Sequence, residues 1–215
     1  MFSKLPTHEL GYPIAIIAFP SNQPFYYSYA RFFSSDAIEE EAGSGGLFLG
    51  SPLNHHIVIQ LYQGGYEYQS VLAHELSHSF LADLPLPTWI DEGITQNIEE
   101  TVVGVPYQEV LSIRELTERN REVWNIENIQ YLWDGRAFKM PETQELAYFF
   151  SRVLVNLIKD EICVSNDEFV KFVATADWRD AGAKAFEQLF GQPLGVLVEE
   201  VLGGAADDWQ PQMNK

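Results

Sequence analysis

Two histidines four residues apart, with a glutamate directly after the first, constrain this chain more than any other feature. They belong to the segment His74-Glu75-Leu76-Ser77-His78. On a helix, side chains at positions i and i+4 lie one above the other, so both imidazoles can reach one metal ion. Glu75 is carried on the edge of the same face, where it can act on a water at the metal without binding the metal. The pattern predicts a zinc site with His74 and His78 as ligands and Glu75 as general base.

The flanking sequence predicts that this segment lies on a helix from Tyr66 to Ala82. Apolar residues recur beside the histidines at near-helical spacing, namely Val71, Leu72, Leu76 and Phe80. The histidines therefore lie on or beside a mostly buried helix. The alternative interpretation is that both are ordinary core histidines and that Glu75 is a solvated neighbour.

Glu92 is the predicted third ligand, because a catalytic zinc site needs three protein ligands and one open position. Pro85-Leu86-Pro87 ends the connection after the first helix, and Thr88-x-x-Asp91 has the spacing of a capping box, which predicts a second helix from about Trp89. Glu92 falls in the first turn of that helix. It is followed by Gly93, whose missing side chain would allow close packing against the first helix. The alternative is a glutamate favoured only by the helix dipole, which would apply equally to Asp91.

These motifs resemble those of the gluzincin zinc metallopeptidases, in particular the bacterial peptidase-MA-like group. The resemblance lies in His74-Glu75-x-x-His78 followed by Leu86-Pro-x-Trp-Ile-Asp-Glu92-Gly93. The segment Ala147–Val155 is similar to the aromatic helix that follows the metal site in that family, and residues 169–202 are similar to its C-terminal helices. The resemblance implies a zincin-like fold, a zinc cofactor and a peptide or protein substrate.

The resemblance also implies a role for Tyr148, since gluzincins often place a tyrosine on a helix beyond the third ligand. Tyr148 would donate a hydrogen bond to the oxyanion. The alternative is that Tyr148 is only one of the packed residues in the apolar stripe of its helix. Ligand histidines usually donate their second N–H to a carboxylate or carbonyl. Gln96 and Glu99 are the nearest candidates on the second helix, and the sequence does not choose between them. Thermolysin-like members carry an aspartate where this chain has Gln96.

The order of predicted elements indicates the fold class. Four β-rich runs precede the first motif helix, at Ile14–Phe19, Phe25–Phe33, Leu47–Leu49 and Ile57–Tyr62. Helical patterns dominate after it, including a long helix over Glu142–Ile162. The prediction is an α+β fold with a small mixed sheet, the active-site helix and a helical C-terminal lobe. The chain is read as a single metallopeptidase-like domain over 1–215, with an α/β lobe over about 1–83 and the helical lobe over about 84–215.

Charge and cysteine content restrict the partners. With 13 basic and 31 acidic residues the net charge is −18, which repels nucleic acid and anionic membranes. We expect neither as a partner. The single cysteine, Cys163, excludes an intrachain disulfide and is expected to be a small buried hydrophobe. No signal peptide or membrane span is visible, which favours the cytoplasm. The oligomeric state is not encoded in any recognisable pattern.

Three functions are compatible with these residues. The first is zinc-dependent hydrolysis of peptide bonds, with Glu75 and Tyr148 as catalytic residues. The second is a zinc-containing binding or assembly module without turnover, which Glu75 disfavours because structural zinc is normally closed by four protein ligands. The third is a zinc hydrolase acting on a non-peptide bond. Serine chemistry has little support, because the chain contains no G-x-S-x-G elbow.

Overall fold

The computed structural model describes residues 13–20, 24–33, 45–50, 55–61, 67–104 and 113–212. These residues fall into two compact units. The described residues within 8–83 and 95–108 form the sheet unit, and those within 84–94 and 109–215 form the helical unit. The fold is mixed α/β with one small mixed sheet among the described residues, as the sequence predicts. Its zincin-like character remains a prediction.

The sheet has three strands in the order β1–β3–β2. Strand β1 (Ala15–Pro20) runs parallel to β3 (His56–Leu61), and β2 (Gly46–Leu49) runs antiparallel to it. The three corresponding runs in the sequence are therefore confirmed as strands. Within the described sheet β2 is an edge strand, and an edge strand can pair with an extended peptide.

The run predicted as a second strand, Phe25–Phe33, is wrong: it is helix α1 (Pro24–Phe33). Proline is favoured in the first turn of a helix, where its missing N–H costs no hydrogen bond. Tyr26 and Ala30, four residues apart, are both buried, which is a helical period. Aromatic residues favour strands only weakly, and here their packing against the sheet determines the conformation.

Helices cover both faces of the sheet. On one face Tyr26 of α1 packs with Leu49 and Val58. On the other face Val71, from helix α2 (Glu67–Leu81), packs with Ile57 and Ile59. Every residue of β3 from His56 to Gln60 is buried. Alternate side chains of this strand therefore point to two covered faces of the sheet, and neither face is exposed to solvent at these positions. The predicted start of the α2 helix, Tyr66, lies outside the described residues.

Helix α3 (Thr88–Val103) begins one residue before its predicted start, and its first turn is held by the carbonyl of Pro87, which accepts from the N–H groups of Ile90 and Asp91. Residues up to Ile94 belong to the helical unit and residues from Thr95 belong to the sheet unit.

The helical unit is built from short helices around an apolar core. After the first half of α3 its helices are α4 (Ile113–Val123), α5 (Ile129–Trp133), α6 (Gln144–Leu157), α7 (Asn166–Thr175), α8 (Ala183–Phe190) and α9 (Val196–Leu202). The buried Trp89 connects distant parts of this unit: its indole N–H donates to the carbonyl of Ala181 at 3.0 Å, and its ring meets Trp133 edge-on at 5.5 Å. Among the described residues, no helix is both long and apolar enough to cross a lipid bilayer.

Candidate metal centre

Helix α2 presents the two predicted histidine ligands, His74 and His78, on one face, as their spacing requires. His74 and Glu75 are buried and His78 is half-buried. The described part of the helix buries five polar side chains, while the apolar row predicted beside the histidines is only partly buried, with Phe80 exposed. Burial of polar groups is costly unless they are hydrogen-bonded or bind a ligand. This face of α2 is therefore organised around polar contacts.

The two histidine rings converge on one point. Their Nε2 atoms lie 3.1 Å apart and the ring planes are inclined at 77°. Two zinc–nitrogen bonds of about 2.0 to 2.1 Å at a tetrahedral angle would place the nitrogens about 3.3 to 3.4 Å apart. The observed separation is close to that value, so a small adjustment of the side chains would allow both to bind one ion.

Glu99 of α3 determines the orientation of His74. The Nδ1 of His74 lies 3.0 Å from Oε2 of Glu99, and the hydroxyl of Ser70 donates to Oε1 of the same carboxylate. Because an ionised carboxylate only accepts hydrogen bonds, the proton of a neutral His74 belongs on Nδ1. Its Nε2 lone pair is then available to a metal. The structure thus selects Glu99 rather than Gln96 as the partner of His74.

Glu92 completes the group. Each of His74, His78 and Glu92 offers one ligand atom, and these atoms lie within 4.8 Å of one another. Within the part of the chain that the structure describes, this is the one group of three or more such residues that could hold a metal ion. Two imidazoles and one carboxylate are the donor set of catalytic zinc sites that keep a fourth position open. Residues of these types could therefore hold a divalent metal ion, and zinc is one ion that they suit.

The two catalytic candidates stand outside the ligand group. Glu75 is buried beside His74 but is not among the three ligands. Tyr148 lies on α6, half-buried, with its ring edge-on to Phe138 at a centroid distance of 5.2 Å. The Tyr148 ring thus packs against Phe138. The role of the Tyr148 hydroxyl as an oxyanion donor stays a prediction.

Gly93 allows a close approach, but to a different helix from the one predicted. A methyl group at this position would lie 2.5 Å from the carbonyl oxygen of Ser151 and 2.6 Å from Cγ2 of Val155, both on α6. Such distances are too short for real atoms, so only glycine fits. The predicted close packing is therefore against α6 rather than against α2, and it holds the start of α3 in the helical unit.

Comparison of the chain with known protein families and with characterised proteins finds no match. No solved structure matches its fold. The resemblance to the gluzincins remains one of motifs.

Cys163 offers no alternative nucleophile. Its thiol is half-buried, and burial, with a smaller contribution from Glu168, raises its pKa to about 11. A thiol with such a pKa is almost entirely protonated at neutral pH, whereas the thiolate is the reactive form.

Sequence reasoning overlooked Ser70, although a signal for it exists. Ser70, His74 and His78 follow one another at intervals of four residues. They therefore share a face of α2, and a hydroxyl one turn before a ligand histidine can reach the histidine's partner. Recognising this would have required knowing that Glu99 faces α2, which is a contact between residues 29 positions apart.

Proposed function

We propose that this protein hydrolyses peptide bonds with a zinc ion held by His74, His78 and Glu92. The observation that carries the proposal is the convergence of three ligand atoms within 4.8 Å, next to a buried glutamate that is not one of them. A site of purely structural zinc needs no such additional carboxylate. The two motifs of the gluzincins, quoted above, support the choice of the peptide bond.

When bound, zinc supplies Lewis-acid activation of water and polarisation of the substrate carbonyl. Glu75 accepts a proton from the attacking water and later delivers it to the leaving amine. Glu99 keeps His74 in the tautomer that presents Nε2, and Ser70 holds Glu99 in place. Tyr148 is proposed to donate a hydrogen bond to the oxyanion, a contribution of about 2.7 to 4 kcal/mol for one such donor.

The substrate is proposed to pair with the outer edge of β2. The backbone N–H of Gln60 donates to the carbonyl of Gly45 at 2.8 Å, which makes this pair a hydrogen-bonded one. In antiparallel pairing such pairs alternate with residues whose N–H and C=O point away from the neighbouring strand. By this alternation the backbone groups of Phe48 point to the outer edge. An extended peptide with apolar side chains near the cut could add there as a further strand.

The test is digestion of a broad peptide library by the zinc-loaded protein and by its Glu75→Gln variant. We expect cleavage by the wild type and a loss of about 100-fold or more in kcat for the variant, since a general base contributes about 10² to 10⁴. Zinc content, measured by metal analysis, should be unchanged. The matched control is Glu100→Gln, an exposed glutamate on α3.

Equal activity in wild type and Glu75→Gln would remove the proposal. Zinc binding without cleavage of any peptide would favour a binding module. Cleavage of ester or amide substrates outside the peptide library, with the same dependence on Glu75, would favour a non-peptide hydrolase.

A further inference from the structure

The start of strand β2 lies directly against the proposed general base. A methyl group built on Gly46 would lie 2.9 Å from Cγ and 3.2 Å from Oε1 of Glu75. It would also lie 2.5 Å from Cγ1 of Val71, one turn earlier on α2. The side chain of Glu75 therefore occupies space that is open only because residue 46 has no side chain.

Strand β2 and the two residues of α2 that face Gly46, Val71 and Glu75, differ in how easily they can move. Strand β2 is held by its pairing with β3, including the hydrogen bond from Gln60 to Gly45. Val71 is buried in the cluster with Ile57 and Ile59, and a β-branched side chain has few rotamers. Glu75 has three rotatable side-chain bonds. A side chain at position 46 would thus displace Glu75, or push β2 and α2 apart.

We infer that Gly46 is a positioning residue for the general base: its bare backbone holds the carboxylate of Glu75 in the position from which it takes the proton. This inference rests on the proposed function for the role of Glu75. It assigns to β2 a second task besides pairing with the substrate, because the strand that aligns the peptide also fixes the group that activates the water. Catalysis is sensitive to such placement, and an error of 1 Å can cost about 100-fold in rate.

Gly50, which directly follows the last residue of β2, provides a matched control. A methyl group there would meet only the ring of Phe48, at 3.2 Å, which is the far part of a side chain. Neither glycine has a left-handed φ, so alanine introduces no backbone strain at either position. Differences between Gly46→Ala and Gly50→Ala therefore report on the contacts with α2.

The first measurement separates kcat from KM. For Gly46→Ala we expect kcat to fall about 100-fold with KM and zinc content nearly unchanged, and for Gly50→Ala we expect neither to change. Adding Val71→Ala removes the shortest contact but leaves the contact with Glu75. The double variant Gly46→Ala/Val71→Ala should therefore fold at least as well as Gly46→Ala yet remain slow. Recovery of kcat to that of Val71→Ala alone would show that Gly46 serves only helix–strand packing, and would overturn the inference.

The second measurement needs no turnover. Acetohydroxamic acid is titrated into the cobalt-substituted protein, and its binding is followed by the visible spectrum. Because this probe chelates the metal and donates a hydrogen bond to a carboxylate beside it, its affinity reports on that carboxylate. We expect Gly46→Ala to weaken its binding by the same factor as Glu75→Gln, with Gly50→Ala unchanged. If the wild type cleaves no peptide but this pattern holds, the proposed function fails and the positioning role stands. If Gly46→Ala binds the probe as tightly as wild type, or loses the metal altogether, the positioning role fails whatever the activity.

Discussion

Two helices of nearly equal length, α2 in the sheet unit and α6 in the helical unit, differ in which side chains they bury. Helix α2 buries mostly polar residues: Ser70, His74, Glu75, Ser77 and Ser79. Helix α6 buries mainly apolar ones: Leu146, Ala147, Phe149, Phe150, Leu154 and Val155, with Ser151 and Arg152 as polar exceptions.

The polar residues of α2 are compensated in two ways. Ser77 and Ser79 donate to carbonyl oxygens of their own helix, at 2.8 and 2.6 Å. Ser70 and His74 instead contact Glu99 of α3. The first kind of contact only offsets the cost of burial, while the second orients the ring of a candidate metal ligand. Helix α6 thus contributes stability through buried apolar area, whereas α2 buries less apolar area and carries two residues of the candidate metal site.

The largest effect should come from truncating the apolar helix. Phe150 is fully buried and its ring stacks on Trp124 at 6.0 Å. Replacing it with alanine should lower the free energy of unfolding by about 3 to 5 kcal/mol, measured by denaturant titration, because it loses transfer energy and leaves a cavity. Phe32→Ala, at an exposed phenylalanine, is the matched control. A loss below about 1 kcal/mol for Phe150→Ala would contradict the view of α6 as the stabilising helix.

Replacing Glu92, the proposed ligand on α3, should affect zinc binding rather than the fold. Loss of a residue that hydrogen-bonds to a metal ligand weakens metal binding roughly 10- to 100-fold. Glu92→Gln should weaken zinc binding by more than this, because it removes the charge of a ligand itself. Competitive titration with a chelator measures this, and Asp91→Asn provides the neighbouring control. Full zinc retention by Glu92→Gln, with loss in Asp91→Asn, would show that the ligand is Asp91.

A smaller effect is expected one step away from the metal. Glu99→Gln keeps the shape of the side chain but removes the charge that His74 faces, so zinc affinity should fall about 10- to 100-fold. Glu100→Gln, the adjacent exposed glutamate, should leave it unchanged. Isothermal titration of both variants separates the two. An unchanged affinity in Glu99→Gln would mean that the contact with His74 only satisfies a buried group.

The smallest effect concerns the edge of the sheet. Phe48→Pro removes one N–H that points away from β3, so the ladder between β2 and β3 should survive. Loss of one hydrogen bond of about 0.5 to 1.5 kcal/mol should raise KM by roughly 2- to 10-fold, with zinc content unchanged. Phe48→Ala, which keeps the N–H, controls for the lost ring. Unchanged kinetics in a folded Phe48→Pro protein would show that the peptide binds elsewhere, and loss of folding would show that β2 tolerates no proline.

Features that depend on local spacing could be predicted from the amino-acid sequence. His78 lies four positions after His74, so any α-helix places them on one face, and the structure brings their Nε2 atoms to 3.1 Å from each other. Ser165 and Glu168 likewise have the three-residue spacing of a capping box, and at the start of α7 the hydroxyl of Ser165 accepts a hydrogen bond from the N–H of Glu168. Such features follow from helix geometry, which is the same in every protein.

Tertiary structure alone decided the features that depend on contacts between distant residues. The aromatic run from Phe25 could form a strand or a helix, and packing of Tyr26 against Val58 decided for the helix. Glu99 rather than Gln96 contacts His74, Gly93 faces α6, and Gly46 faces Glu75. Each of these contacts joins residues 25 or more positions apart. No local spacing encodes them, because they depend on how whole helices and strands pack together.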